Sequence, residues 1–100
     1  MNKSNIKTTI IGILRMYPVK RAAFFGSYAK NLNTEDSDID LVVEFNNAKS
    51  TFIPFFNLYD DLEEATGMKI DMLEYRDLLY DNRVDFVRNV ESSLEYFYET

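Results

Sequence analysis

The chain has 100 residues, of which 46% are hydrophobic, and it carries a formal net charge of −6. This length suits one small domain with one core, and the acidic charge argues against a protein that binds nucleic-acid phosphates nonspecifically. The sequence contains no cysteine and no histidine, which excludes disulfide, thiolate and histidine chemistry. Any catalysis therefore has to use carboxylates and hydroxyls, together with metal ions that prefer oxygen ligands.

The first predicted element is an amphipathic helix that ends before Pro18, with Asn2 or Ser4 as its N-cap. Its apolar stripe consists of Ile6, Ile10, Ile13, Leu14 and Tyr17. The runs RAAFFG (21–26) and SDIDLVVEF (37–45) are then predicted as strands, because the first is short and apolar and the second alternates polar with apolar residues. The segment SYAK (27–30), between them, is predicted as a short helical turn.

A second long helix is predicted over residues 51–66, with Gly67 as its stop signal. The segment MKIDMLEY (68–75) reads as a third strand, and a last helix is predicted from the spacing of Val84, Val87, Val90, Leu94 and Phe97. This alternation predicts an α+β, two-layer fold with a small mixed sheet of about three to four strands and helices packed on it. Residues 1–100 are expected to form a single domain.

The N-terminal patch IIGIL is too short for a signal peptide and is followed by basic residues. No apolar run approaches the ~20 residues that span a bilayer. We therefore expect a cytoplasmic protein with no membrane contact.

Two aspartates, Asp38 and Asp40, lie two residues apart in the second predicted strand. Residues at this spacing point to the same face, with Cα atoms roughly 6.6 Å apart, whereas Ile39 and Leu41 face the core. Two carboxylates this close repel each other unless a cation neutralises them, which favours a divalent metal ion. Asp71 interrupts the third apolar strand and is the candidate third carboxylate if the two strands are neighbours. The simpler alternatives are a solvent-facing stripe for the pair and an edge-protecting charge for Asp71.

A Gly-Ser pair, Gly26 and Ser27, directly follows the first predicted strand. Glycine allows close approach to a ligand, serine is a favoured N-cap, and the N–H groups of a helix start attract phosphate. Lys30, one turn later, is placed to add a positive charge, unless it is simply a solvated surface lysine. The stretch thus combines a candidate phosphate-binding turn with a candidate metal site.

This pattern, G-S-x-A-K followed by S-D-I-D-L and a strand aspartate about thirty positions on, resembles the DNA polymerase beta superfamily of nucleotidyltransferases. Within that superfamily the chain looks most like the MNT-type minimal nucleotidyltransferases. The resemblance implies that Gly26 and Ser27 hold the phosphates of ATP or another NTP, with Lys30 nearby. It also implies that Asp38, Asp40 and Asp71 bind two Mg2+ ions, with Asp71 helping to activate the attacking hydroxyl. One departure is Ala29-Lys30-Asn31, where many members have Ala-Arg-Gly.

The resemblance further implies transfer of AMP to a tyrosine of a partner HEPN-type toxin in a toxin-antitoxin module. Two alternatives stay open: a small-molecule nucleotidyltransferase of the aminoglycoside-modifying kind that needs a partner chain, and a non-catalytic antitoxin that acts by contact alone. An oligomer of this chain is also left open, and the sequence does not identify the nucleotide or the acceptor.

Overall fold

The computed structural model describes residues 2–30, 38–46 and 52–100, with the backbone alone at Ser27 and Phe52. The elements in these ranges are α1 (Lys3–Leu14), β1 (Val19–Phe24), α2 (Gly26–Ala29), β2 (Ile39–Phe45), α3 (Phe52–Thr66), β3 (Ile70–Glu74), α4 (Tyr75–Leu78), α5 (Val84–Ser92) and β4 (Glu95–Glu99). The strands form one sheet in the order β3-β2-β1-β4. Strand β1 is antiparallel to β2 and β4, whereas β2 and β3 are parallel. The predicted α+β class with a mixed sheet is confirmed.

Helix α1 begins where the sequence predicts, because the Asn2 side chain accepts a hydrogen bond from the Asn5 N–H at 2.9 Å. The helix ends at Leu14, so Tyr17 lies beyond it and not within it, although its ring still packs against the core. The Tyr17 hydroxyl donates a hydrogen bond to a carboxylate oxygen of Asp61 on α3. This bond ties the end of α1 to α3.

The main core lies between the sheet and the helices α1 and α3. The alternate β2 residues Ile39, Leu41 and Val43 are completely buried in it, as their spacing predicts. Helices α1 and α3 contribute Ile6, Ile10, Leu14, Leu58 and Leu62. The buried alternate residues of β2 thus face this core, and its polar residues Asp40 and Glu44 point the other way.

A smaller cluster covers part of the opposite face of the sheet. Its buried members are Phe25, Val42, Leu78 and Val90. Phe25 follows β1, Val42 comes from β2, and the other two come from α4 and α5. Helices α4 and α5 thus lie on the same side of the sheet as Asp40.

The sequence-based prediction for the last helix was wrong beyond Ser92. Leu94 follows α5 instead of belonging to it, and Phe97 lies in β4, which pairs with β1. The ring of Phe97 stacks on Phe24 with 4.3 Å between centroids. The pairing with an otherwise open edge of β1 explains why the chain leaves the helical period at this point.

None of the helices in the described parts of the chain is long and apolar enough to cross a lipid bilayer.

Candidate active site

The parallel pairing of β2 and β3 places Asp40 directly beside Asp71, since the two residues are register partners. Neighbouring strands lie about 4.8 Å apart. Both aspartates alternate with buried residues, Ile39 on β2 and Ile70 on β3, that face the main core. The two carboxylates therefore lie side by side on the opposite face of the sheet, where Asp71 is exposed and Asp40 is partly buried.

Asp38 lies one residue before β2 and two residues before Asp40. Its side chain is 43% exposed, and a carboxylate oxygen lies 4.0 Å from the Lys69 ammonium nitrogen. Lys69 is itself 74% exposed, so this contact adds little to stability. The carboxylate of Asp38 is open to solvent and accessible to a ligand.

The electrostatics of Asp40 show that these carboxylates influence one another. Burial first, and then the negative charges of Asp71 and Asp38, together raise the pKa of Asp40 from 3.8 to about 6. A carboxylate in such a setting is destabilised in its charged form until a cation approaches. The donor set therefore fits a divalent metal ion in charge and in ligand chemistry.

The Gly-Ser turn is adjacent to the Asp40 carboxylate. The N–H of Phe25 donates to the backbone carbonyl of Asp40 at 3.1 Å, which continues the β1–β2 ladder to the residue before Gly26. Gly26 has φ +63°, and a Cβ built on it would lie 3.0 Å from Oδ2 of Asp40. Because of this close approach, only glycine fits here without displacing the carboxylate.

Gly26 opens α2, a single turn that also contains Ser27 and is followed by Lys30 as its C-cap. Lys30 is exposed, and its N–H donates to the carbonyl of Gly26 at 3.2 Å. The side chain of Ser27 and the whole of Asn31 lie outside the described residues. The roles predicted for Ser27 and Lys30 in phosphate binding stay predictions.

Asp38, Asp40 and Asp71 lie at the start of the neighbouring strands β2 and β3, but within residues 2–30, 38–46 and 52–100 no three carboxylates form a ready metal cage. The assignment of all three as metal ligands therefore stays a prediction. Its support is the pairing of Asp40 with Asp71 and the raised pKa of Asp40.

Sequence reasoning missed one residue that contacts this turn, Ser93. Its Oγ accepts a hydrogen bond from the N–H of Gly26 at 3.0 Å across 67 positions of sequence. No short-range pattern in the sequence indicates this contact. Sequence reasoning placed Ser93 inside a longer helix. Sequence reasoning also missed that Lys69 lies near Asp38. These residues directly precede Ile70 and Ile39, which are register partners, so the pairing of β2 with β3 brings them together.

The family model described as polymerase beta, nucleotidyltransferase matches residues 8–98 of the chain. The chain belongs to this nucleotidyltransferase family. The matched range includes the turn at Gly26 and the aspartates at positions 38, 40 and 71. The family resemblance stated from the sequence is thus confirmed.

Individual relatives within this nucleotidyltransferase family are similar at moderate identity. A Methanocaldococcus jannaschii protein, provisionally named a protein adenylyltransferase, is 46% identical over 78 residues, or 78% of this chain and 83% of that protein. A second protein of that organism with the same provisional name is 47% identical over 57% of each chain. Protein adenylyltransferase MntA of Thermococcus cleftensis is 33% identical, also over 57% of each chain. The match thus spans a little over half the length of the last two relatives.

Solved structures share the fold of this nucleotidyltransferase. A protein provisionally described as a minimal nucleotidyltransferase gives a TM-score of 0.73 at 24% identity, over 92% of this chain and 89% of that one. A toxin-antitoxin structure with AMP-PNP gives 0.72 at 23% identity, over 94% and 73%. A tri-AMPylated Shewanella oneidensis HEPN toxin in complex with an MNT antitoxin gives 0.69 at 20% identity, over 99% and 74%.

Proposed function

We propose that this chain transfers AMP from ATP to a hydroxyl group of a partner protein, a tyrosine of a HEPN-type toxin, in a Mg2+-dependent reaction. The observation that carries the proposal is the pairing of Asp40 with Asp71 beside a turn at Gly26, which comes so near the Asp40 carboxylate that a Cβ would lie 3.0 Å from its Oδ2. The adenylyl group and the protein acceptor are supported by the names of the relatives. The HEPN-type partner is supported by the complex in which the similar Shewanella oneidensis fold occurs.

Asp38, Asp40 and Asp71 would hold two Mg2+ ions at the edge of the sheet. When bound, such ions neutralise the carboxylates and stabilise charge on the attacking and leaving oxygens of a displacement at phosphorus. The raised pKa of Asp40 supports this role, because it shows that the charged form is destabilised and a bound cation would stabilise it. Asp40 thus belongs to both parts of the site, because it is a proposed metal ligand and lies next to the turn at Gly26.

The turn at Gly26 would bind the β- and γ-phosphates of ATP through the N–H groups at the start of α2. Lys30, which is exposed at the end of α2, would add a point charge to the same phosphates. The contact between Gly26 and Asp40 would therefore hold the triphosphate at a fixed distance from the metal ligands.

In the transfer step, the acceptor hydroxyl oxygen forms a bond to the α-phosphorus while the bond from that phosphorus to the bridging oxygen of the β-phosphate breaks. Pyrophosphate leaves with the electron pair of the broken bond, and the proton of the acceptor hydroxyl moves to a carboxylate oxygen of Asp71. Asp71 suits this role because it is exposed and lies next to Asp40. Residues 1–100 would act as one catalytic unit, and the cytoplasmic location predicted from the sequence stays a prediction.

The test is to incubate the purified protein with Mg2+, α-labelled ATP and the HEPN-type protein of its own host. We expect label on the partner, and a loss of at least about a hundredfold for Asp40→Asn, the size typical of removing a group that acts on the reacting atoms. The matched control is Asp85→Asn, which removes an exposed carboxylate in the first turn of α5. This control should transfer at the wild-type rate.

Three outcomes would count against the proposal in different ways. Full transfer by Asp40→Asn would refute the site. When a lysate of the host is supplied instead of the purified partner, label on a small molecule, with none on protein, would replace the partner protein by a small-molecule acceptor. An unlabelled partner whose toxicity is still suppressed by the Asp40→Asn protein would replace catalysis by inhibition through contact.

A further inference from the structure

Ser93 connects the end of helix α5 to the Gly-Ser turn. It is the C-cap residue of α5, and its N–H donates to the carbonyl of Val90 at 3.1 Å. Its hydroxyl lies 3.0 Å from the carbonyl of Asn89 and 3.1 Å from that of Val90, either of which accepts its hydrogen. The lone pairs of the same oxygen accept the N–H of Gly26 at 3.0 Å. One side chain thus holds two elements that are distant in sequence.

The N–H that Ser93 takes up is one that α2 leaves without an acceptor. Gly26 is the first residue of α2, and the preceding N-cap residue, Phe25, makes no side-chain capping bond. The N–H groups of the first helical turn have no acceptor within the helix. Ser93 therefore acts as a cap supplied from another element, and the N–H groups of Ser27 and Tyr28 follow directly after the one it occupies.

The surroundings of Ser93 are well packed, so this cap is held in place. Val90, one turn before Ser93, is 3% exposed and belongs to the same buried cluster as Phe25, which immediately precedes Gly26. On the other side, β4 is paired with β1. Tyr28, two residues after Gly26, is completely buried in the main core. The turn is thus fixed from both ends, by Ser93 at its start and by Tyr28 within it.

We infer that Ser93 is a positioning residue for the triphosphate: by holding the N–H of Gly26 it orients the following N–H groups toward phosphates lying beside Asp40. The inference rests on the proposed nucleotidyltransferase function and adds a residue to it. Without the Ser93 hydroxyl, the N–H of Gly26 loses its acceptor on α5. Phe25 and Tyr28 still hold the ends of the turn, but the N–H groups between them are no longer held in one direction. The expected loss concerns binding of the β- and γ-phosphates, because these are the groups that the turn would contact.

The experiment compares Ser93→Ala with Ser92→Ala, measuring equilibrium binding of ATP and of AMP in the presence of Mg2+. Ser92 is the matched control, since it is the exposed neighbour whose hydroxyl donates to the carbonyl of Asn89 at 3.1 Å, within its own helix. We expect Ser93→Ala to bind ATP about fivefold more weakly, the factor for losing one hydrogen bond, and to bind AMP within about twofold of wild type. In transfer assays, the change should appear in KM for ATP and not in kcat.

Two further variants separate positioning from a structural role. Ser93→Thr keeps the hydroxyl and should restore ATP affinity. If Ser93→Ala does not fold, Ser93→Cys is tested instead. Its sulfur is a weak acceptor, so it should weaken ATP binding in the same way but by a smaller factor. Wild-type ATP affinity in Ser93→Ala, an equal loss of ATP and AMP binding, or an equal effect of Ser92→Ala would overturn the inference alone. A wild-type protein that binds no ATP and transfers no AMP would overturn the proposed function together with this inference.

Discussion

Replacing each of the three glycines by alanine tests whether the turn at Gly26 has to touch the Asp40 carboxylate. Gly26 and Gly67 have nearly the same backbone, with φ +63° and +65°. They differ in their surroundings, because a Cβ on Gly67 would meet none of the described residues within 4 Å, whereas a Cβ on Gly26 would lie 3.0 Å from Oδ2 of Asp40. Gly12 lies within α1 and has open space around it. The series therefore separates backbone strain from contact with the site.

The expected free energies of unfolding follow from these differences. Gly12→Ala should stabilise the protein by about 0.5–1 kcal/mol, because alanine is the better residue inside a helix. Gly67→Ala should cost about 1–2 kcal/mol for the left-handed backbone. Gly26→Ala bears the same backbone cost and the crowding against Asp40, which adds about 1 kcal/mol because the carboxylate is able to turn aside. Urea unfolding at constant pH, with the slope m compared among the variants, measures these values.

Activity should separate the variants more strongly than stability does. Displacing the Asp40 carboxylate moves a proposed metal ligand, and a misplacement of about 1 Å at a reacting centre costs on the order of a hundredfold. We expect this loss for Gly26→Ala and wild-type transfer for Gly67→Ala and Gly12→Ala. Equal stability of Gly26→Ala and Gly67→Ala, with transfer retained in both, would refute the argument that this contact matters.

Other predictions concern single side chains. In EDTA, ionisation of Asp40 should make wild type less stable as pH rises from about 4 to 6. The folded-state pKa of Asp40 is raised to about 6. Its favourable contribution to the free energy of unfolding is therefore fully present below the pKa of the unfolded state and is lost as pH rises through the pKa of the folded state. That shift is worth at most about 3 kcal/mol, and we expect about half of it after solvent screening. Between pH 4 and 7, the free energy of unfolding of Asp40→Asn, measured in urea, should therefore rise by this amount relative to wild type. Parallel pH curves for the two proteins would contradict the prediction. Tyr28→Phe should stabilise the fold by about 1 kcal/mol, because the buried hydroxyl has no hydrogen-bond partner in the described structure. Tyr17→Phe should destabilise by about 1 kcal/mol in the same assay, since it removes the bond to Asp61; equal effects of the two tyrosine variants would contradict both.

The sequence predicted those parts of the fold that depend on local periodicity. Asn2, one of the two predicted N-caps, is the N-cap of α1. Ile39 and Leu41 face inward as predicted, because side chains in a strand repeat every 2 residues. Strand β4 was missed because Val84, Val87 and Val90 set a helical period that Leu94 and Phe97 happen to continue. The run of three aromatic residues in EYFYE (95–99), a composition typical of a strand, was the signal available for it. Only the pairing with β1, which is distant in sequence, decides between the two readings.

The candidate site was predictable in its residue types but not in its geometry. The two-residue spacing of Asp38 and Asp40 indicates a shared face, whereas the position of Asp71 beside Asp40 depends on the register of two parallel strands. That register follows from the packing of a whole face of the sheet and not from any short motif. The contact between Ser93 and Gly26 has the same character, because it depends on where α5 ends over the sheet.

Asp40 is the point at which these long-range arrangements meet. Its backbone carbonyl accepts the N–H of Phe25, its register partner is Asp71, and its carboxylate lies against Gly26. A slip of β2 by one residue would turn this carboxylate toward the main core and bring Ile39 or Leu41 to the site face. The buried residues of β2 therefore set the site as well as the fold. For this reason, a change that loosens the packing of β2 should reduce transfer before it unfolds the protein.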